Sequence, residues 1–300
     1  LLIEIIREMS LTMPVGPPKR RSRVTVAIPS SMISSSENPL HRSLRLSTVA
    51  RAAVIFRVER ILIYLETDSS EDRYLQRIAQ IMLEYLATPQ YLRRKVFKRS
   101  PEMKFVGALP PLRSPSHTVP SRVRDIKSGD YREGIILRKG HEVKVDVGLG
   151  VLFDLKDKHE RFGEGRILVK ITDPNKREAE VTSWEELPSY WCYRVEAPQL
   201  TLPSVLKSRG DSLKIATSRY GESVWQALPG LPPLLEGRRD VLIAFGSPSR
   251  GLSEILAQER IDLGQAFDLT LNTALDQGVA TIRTEEAVLI SLAVLSDAIK

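Results

Sequence analysis

The sequence predicts an α/β protein: a parallel sheet assembled from both ends of the chain, with a small antiparallel β-barrel inserted between them. Three observations predict it. From residue 24 to about 110, and again beyond residue 197, short apolar strands alternate with stretches of helical spacing, the pattern of a parallel sheet. Between them lie five short alternating strands with turn glycines and no helical run, the texture of an OB-like barrel. Prolines crowd PPLRSPSHTVPSR (110–122) and mark the first boundary.

In order, VTVAIP (24–29) reads as a buried strand, followed by a Ser-rich loop and a helix over about 41–57. ERILIYLE (59–66) is the second strand. Leu75, Ile78, Met82 and Tyr85/Leu86 recur at helical spacing over 71–87. TPQYLRRKVF opens a third helix, with Thr88 as N-cap and Pro89 at the first helical position. The barrel strands are REGIILR (132–138), HEVKVDVG (141–148), RILVKITD (166–173), EAEVTS (178–183) and YWCYRVE (190–196). Gly140, Gly148, Gly150, Gly163 and Gly165 supply the turns. DSLKIATS (211–218), DVLIAFGS (240–247) and FDLTLN (267–272) return to the sheet, GLSEILAQ is a short helix, and the last helix spans about 284–299. The expected divisions are a poorly ordered basic segment (1–22), the first part of the α/β domain (23–110), the barrel (111–196) and the second part of the α/β domain (197–300).

No apolar run reaches the roughly eighteen residues that span a bilayer, so no membrane segment is expected. LLIEIIREMSLTM is broken by Glu4, Arg7 and Glu8 and lacks a basic start and a cleavage site, which argues against a signal peptide. The single cysteine, Cys192, excludes an internal disulfide and a multi-cysteine zinc site, and reads as a buried strand residue. His41, His117, His141 and His159 show no metal-ligand spacing. A reduced, cytoplasmic setting without metal is the expectation. The net charge of +7 comes from residues 1–110, which hold 18 Lys/Arg against 10 Asp/Glu, in runs such as KRRSR (19–23) and RRKVFKR (93–99). Such runs fit a phosphate-rich partner, with a solvated surface as the equal alternative. Tyr131, Phe162, Trp184, Tyr190, Trp191 and Tyr193 are available to stack bases of single-stranded nucleic acid, although burial in the core accounts for most of them.

The last three strands end alike, in KIATSRYGES, IAFGSPSRGLS and LTLNTALDQGVATIRT. Ligands bind beyond the carboxyl ends of parallel strands, and three loops rich in Gly, Ser, Thr and Asn together predict a binding site there. None is a GxxxxGK[ST] phosphate loop and none a GxGxxG after the first strand, which disfavours a nucleoside triphosphatase or a standard dinucleotide enzyme.

AFGS…RGL followed by DLTLNTALDQGVATIRTEEAVLISLAVL closely resembles the SPOUT-class RNA methyltransferases, in particular their archaeal and eukaryotic branch with an inserted OB-like domain. RSLRLSTVARAAVIFRVERILIY and PQYLRRKVF…FVGALPPLRSPSH…REGIIL resemble the same branch, so the likeness covers residues 24–300. The resemblance implies a SPOUT-type α/β domain with a C-terminal trefoil knot, S-adenosylmethionine as cofactor, and a homodimer with the site at the subunit interface. It implies a cofactor pocket lined by Thr217, Ser218, Arg219, Gly246, Gly251, Leu271, Asn272, Gly278, Thr281 and Ile282. A threaded final helix enclosed by its own chain and by a second subunit can be apolar on nearly every side, and Ala274, Gly278 and Ala280 would let the backbone pack closely.

Methyl transfer from a sulfonium is an in-line displacement, and an N–H acceptor must also lose a proton. Glu285, with Glu286 beside it, is the candidate base, against the simpler reading that acidic residues suit the first turn of a helix. Arg283 is the candidate to stabilise developing negative charge, with a surface ion pair as the alternative. Arg42, Arg45, Arg51, Arg93 and Arg94 are expected to meet RNA backbone together with the barrel. The function implied is methylation of ribosomal RNA, with N3 of a uridine as one target. The alternative is an RNA-binding ribosome-assembly factor that keeps the knot without transferase activity.

Overall fold

A computed structural model describes residues 16–139, 142–156 and 165–299. In chain order the strands are β1 (Arg23–Pro29), β2 (Arg60–Tyr64), β3 (Tyr131–Lys139), β4 (Glu142–Asp146), β5 (Leu152–Leu155), β6 (Arg166–Asp173), β7 (Glu178–Thr182), β8 (Arg194–Glu196), β9 (Leu213–Ser223), β10 (Asp240–Ala244) and β11 (Leu269–Asn272). The principal helices are α1 (Pro39–Ile55), α2 (Ser70–Ala87), α3 (Gln90–Val96), α4 (Leu202–Ser208), α5 (Leu252–Ala257) and α6 (Thr284–Leu295). The chain divides into two compact units. Among the described residues, 16–19, Thr88–Arg99 and those within Arg113–Trp191 form one; Arg20–Ala87, Ser100–Leu112 and 192–299 form the other.

The larger unit is built on a six-stranded parallel sheet ordered β11-β9-β10-β1-β2-β8. Its central strands are apolar because both faces are covered: Val24, Val26 and Ile28 of β1 face one core cluster and Ala27 the other. Asn38 caps α1 by accepting from the Leu40 amide at 2.8 Å, with Pro39 at the first helical position. Along α2, Leu75, Ile78, Ala79, Met82, Leu83 and Leu86 are buried at helical spacing, each worth about 1.5–3 kcal/mol for the larger side chains. α6 packs on α1 and buries Val288, Ser291, Leu292 and Leu295, but its opposite side leaves Leu289 and Ala293 exposed. A single chain thus encloses one flank of this helix.

The smaller unit is a closed five-stranded barrel ordered β3-β4-β5-β7-β6. Its fifth strand corrects the sequence reading. YWCYRVE is not in the barrel: only Arg194–Glu196 is strand, and it pairs in parallel with β2. Tyr190, Trp191, Cys192 and Tyr193 are all buried, which an apolar run achieves outside a half-exposed barrel wall. The barrel is closed instead by LFDL (152–155), which alternates exposed and buried but is too short to stand out. Cys192, the only cysteine of the sequence, is buried two residues ahead of its strand.

Three further expectations change. The cap of α3 is Pro89, and the Thr88 hydroxyl accepts from Arg166 at 2.7 Å instead of capping. This helix also groups with the barrel unit, not with the α/β domain. The segment expected to be poorly ordered through residue 22 is anchored from Arg20, whose guanidinium donates to the carbonyls of Phe56 (3.0 Å), Ser296 (2.7 Å) and Ile299. Residues 1–15, with Gly140, His141, His159, Phe162 and Gly163, lie outside the described residues. Among the described residues no helix is long and apolar enough to cross a membrane.

Candidate functional site

β9 has β10 on one side and β11 on the other, so the strand order reverses around it, the position at which open parallel sheets form a crevice beyond their carboxyl ends. Two glycines shape this crevice. A Cβ on Gly221 would lie 2.7 Å from the Leu271 carbonyl carbon and the Thr270 oxygen, so only glycine lets β11 approach β9, where the register slips between Thr270 and Leu271. A Cβ on Gly246 would lie 2.8 Å from the Arg250 oxygen, because the loop after β10 folds tightly back on itself. The Ser247 amide donates to the Arg250 carbonyl (2.9 Å) and the Arg250 amide to Ser247 Oγ (3.0 Å).

Hydrogen bonds tie the three loops together. Thr217 Oγ1 donates to the Ala244 carbonyl (2.8 Å), and Thr284 Oγ1, at the start of α6, to the Gly246 carbonyl (3.0 Å). Asn272 accepts from the Ala274 amide (3.0 Å) and donates through Nδ2 to the Arg219 carbonyl (2.9 Å). Arg219 donates to the Ala280 carbonyl (3.0 Å). Between the loops lies a cavity of about 330 Å³. Backbone and small polar groups from Thr217, Ser218, Gly246, Ser247, Asn272 and Thr281 line it, with apolar surface from Phe245, Leu252, Ile282 and Ala287 and the cations Arg219 and Arg250.

Of the ten predicted cofactor residues, Thr217, Ser218, Arg219, Gly246, Gly251, Asn272, Thr281 and Ile282 meet at this cavity. Leu271 does not: it is fully buried beneath the site, in the apolar core. Gly278 does not line the cavity either, and a Cβ there would meet nothing within 4 Å, so the close backbone approach expected of it is not made among the described residues.

A second cavity, about 540 Å³, adjoins the first at Pro248, which lines both. Its other walls are Glu37, His41, Leu44, Arg45 and Arg283. Arg283 forms the N-cap of α6, its amide bonded to Glu286 Oε2 at 3.0 Å. Thr284 is the first helical residue. Glu285 is buried and both its oxygens accept from Arg45 Nε at 3.0 Å, while Arg45 Nη1 reaches Glu37 at 3.4 Å.

The five predicted RNA-contacting arginines differ in setting, three in the sheet unit and two in the barrel unit. Arg42 is buried on α1 and Arg45 is held by two carboxylates. Arg51 is exposed but donates to the Leu112 carbonyl (2.6 Å). Arg93 and Arg94 belong to the barrel unit on α3, where Arg93 Nε donates to the Thr88 carbonyl (2.9 Å) and Arg94 is exposed.

The sequence reading missed Glu66. It follows β2 at the same carboxyl edge, its side chain is 1% exposed, and it holds Arg250 Nε at 2.5 Å and the Ser31 hydroxyl. An acid directly after the apolar run of ILIYLE was the available signal. Nearby, Tyr64 donates to the Phe245 carbonyl (2.6 Å); burial first, then Glu66 and Asp72, push its phenol well above the usual value. Among the described residues no group of three or more His, Cys, Asp or Glu side chains is placed to hold a metal ion.

A family described as "Putative RNA methyltransferase" matches residues 23–295. An uncharacterized protein of Halobacterium salinarum is 32% identical, over 91% of this chain and 98% of its own length. A 28S rRNA (uridine-N(3))-methyltransferase of Mus musculus is 30% identical over 91% of this chain and 75% of its own, and its Homo sapiens counterpart 29% identical over 91% and 77%. A structure described as "a putative RNA methyltransferase of the TrmH family from Porphyromonas gingivalis" aligns over 94% of this chain and 62% of its own at a TM-score of only 0.35 and 10% identity, a distance from which nothing follows.

Proposed function

The chain belongs to the RNA methyltransferase family that matches residues 23–295, and from that premise we propose that it transfers the methyl group of S-adenosylmethionine to N3 of a uridine in ribosomal RNA, as a homodimer. The observation that carries the proposal is the meeting of the three loops after β9, β10 and β11 on one cavity of about 330 Å³, within the range of small-molecule sites. The residues present suit a sulfonium nucleoside. Ile282 and Leu252 offer apolar surface to a purine, Thr217, Ser218, Asn272 and Thr281 offer hydroxyl and amide groups to a ribose, and Arg219 or Arg250 offers a cation to a carboxylate.

Bound there, the cofactor supplies an electrophilic methyl carbon. The chain must hold the acceptor in line with it and remove the N3 proton. The second cavity, which shares Pro248 with the first, is the proposed seat of the acceptor base. Arg283 faces that seat and stabilises the negative charge that gathers on the uracil oxygens as the proton leaves. Glu37 lines the same cavity and accepts the proton. Glu285, locked on Arg45, acts by aiming that arginine and not as the base.

Two further features support finer parts of the proposal. The exposed flank of α6, with Leu289 at 39% and Ala293 beside it, gives a second subunit an apolar surface to cover. The bond from Thr284 to Gly246 holds the start of α6 against the loop after β10, a contact that fits the C-terminal trefoil knot the family resemblance implies.

Titration calorimetry with S-adenosylmethionine, followed by nucleoside mass spectrometry of ribosomal RNA incubated with both, tests the proposal. Saturable heat and a new N3-methyluridine are expected. Absence of heat would return the chain to the assembly-factor reading, and methylation of another atom would overturn the target.

A further inference from the structure

The segment that leaves the cavity carries an aromatic ring in an unusual setting. Tyr220 is 81% exposed, the most open large side chain of apolar body among the described residues. It is held rigidly all the same. The Arg219 guanidinium lies over its ring, 4.7 Å from the centroid, and is itself fixed by the Ala280 carbonyl at 3.0 Å. The backbone on either side is pinned: the Arg219 carbonyl by Asn272, the Tyr220 amide by Ser218 Oγ (3.2 Å), and Gly221 by its contact with Thr270 and Leu271. These bonds fix the backbone that carries the ring, and Arg219 covers the ring on one face. The ring also contributes to the rim of the cavity assigned to the methyl donor.

We propose that Tyr220, braced by Arg219, is a stacking platform for an unpaired RNA base next to the nucleotide that is methylated. The proposal rests on the function proposed above for the adjoining cavity. Three properties select a nucleobase as the occupant. Unpaired bases are recognised by stacking on aromatic rings, and with the Arg219 guanidinium over one face of the Tyr220 ring the other face is the one offered to a base. A preordered ring loses little freedom on binding, which favours a ligand held by one face. An apolar protein surface laid over the ring would have to strip water from the Arg219 guanidinium, whereas a nucleotide brings a phosphate to meet it.

The test measures binding of a short labelled single-stranded RNA, without methyl donor, to the wild type and to Tyr220→Ala, Tyr220→Phe and Tyr220→Trp over a range of salt concentrations. Loss of one base–aromatic stack is expected to weaken binding of Tyr220→Ala by about five- to a hundredfold, with Phe and Trp staying within about twofold of the wild type. The salt slope should stay unchanged, because no phosphate contact is removed. Wild-type affinity in Tyr220→Ala would overturn the platform, as would an equal loss in Tyr220→Phe. A change of sedimentation coefficient in Tyr220→Ala would also overturn it and make the ring a contact between two copies of the chain. Calorimetry of the wild type with S-adenosylmethionine separates the two readings. Heat without the Tyr220 pattern removes the platform alone, and the Tyr220 pattern without heat removes the cofactor assignment and leaves the platform standing.

Discussion

In the barrel unit the buried carboxylate Glu133 holds an arginine that lines no cavity, whereas in the sheet unit the buried carboxylates Glu66 and Glu285 hold arginines that do. Glu133, wholly buried on β3, meets Arg166 Nε at 3.1 Å and accepts from Trp191 Nε1 at 3.0 Å. Beside it the buried Arg132 donates to the carbonyls of Val147 (2.9 Å) and Pro120 (2.6 Å) and lies over the Tyr91 ring at 4.9 Å. No donor in this set lines either cavity. In the sheet unit, Glu66 holds Arg250, and Glu285 holds Arg45, and each arginine lines a cavity at the carboxyl edge of the sheet. Burial of a charge therefore does not mark function. What separates the two units is where the arginine on the buried carboxylate ends: away from both cavities for Arg166, and in a cavity wall for Arg250 and Arg45.

The sharpest way to break this contrast is Glu133→Ala. Removing one partner of a buried pair costs about 3–5 kcal/mol, because Arg166 and the Trp191 N–H are left without their acceptor. Urea unfolding followed by tryptophan fluorescence should show the loss, while affinity for S-adenosylmethionine stays unchanged; a parallel loss of affinity would erase the distinction. pH adds a signed test. Desolvation by burial raises the Glu133 carboxyl above its ordinary value of 4.5, although Arg166 and Trp191 oppose the rise. Above 4.5, and up to the raised value, the folded protein binds more protons than the unfolded one, so the contribution of Glu133 to stability falls as pH rises through that window. Glu133→Gln should remove that slope.

Next in size is a pair of glycines. In Gly246→Ala a methyl group must enter a space bounded 2.8 Å away by the Arg250 oxygen, which is backbone and yields little. A cost of about 1–3 kcal/mol is expected, read both as a lower melting temperature and as weaker cofactor binding. Gly278→Ala meets open space and should leave both within experimental error. Equal effects would mean that the loop after β11 is packed as tightly as the loop after β10. A smaller change is expected of Glu66→Gln, which keeps the shape and removes the charge that holds Arg250. Cofactor affinity should weaken by about tenfold, or about 1.4 kcal/mol, with a smaller change in unfolding than Glu133→Ala produces.

These contrasts also show what the sequence made legible. The strand–loop pattern of KIATSRYGES, IAFGSPSRGLS and LTLNTALDQGVATIRT located the crevice, because small and polar residues after an apolar run have few other uses at a sheet edge. Leu271 was misplaced for a reason of period: in a strand, neighbours point to opposite faces, so Asn272 at the cavity puts Leu271 in the core. Gly278, expected to allow a close approach, faces open space among the described residues, and sequence does not separate that use of glycine from its other one, freedom of the backbone. Glu66, Glu37 and the second cavity escaped because they depend on loops from the two halves of the chain meeting at one edge. That meeting is set by the strand order, with β1 and β10 adjacent, and not by local pattern. The same holds for the barrel: LFDL becomes a strand only because β4 and β7 stand ready on either side.

The smallest expected effect concerns charge at the surface of the barrel unit. Arg93 and Arg94 are adjacent in sequence but unlike in setting, since Arg93 Nε donates to the Thr88 carbonyl while Arg94 is exposed on the same short helix. If α3 meets RNA through phosphates, Arg94→Glu should lower the magnitude of the log–log salt slope of binding by about 0.7 for a single strand, with little change in stability. Arg93→Glu should in addition lower stability, by about 0.5–1.5 kcal/mol for the lost hydrogen bond. An unaltered slope in Arg94→Glu would take this helix out of the RNA footprint. The electropositive runs of the N-terminal third would then be solvated surface, and recognition would fall to the edge of the sheet, where anchored arginines and an open tyrosine ring already stand together.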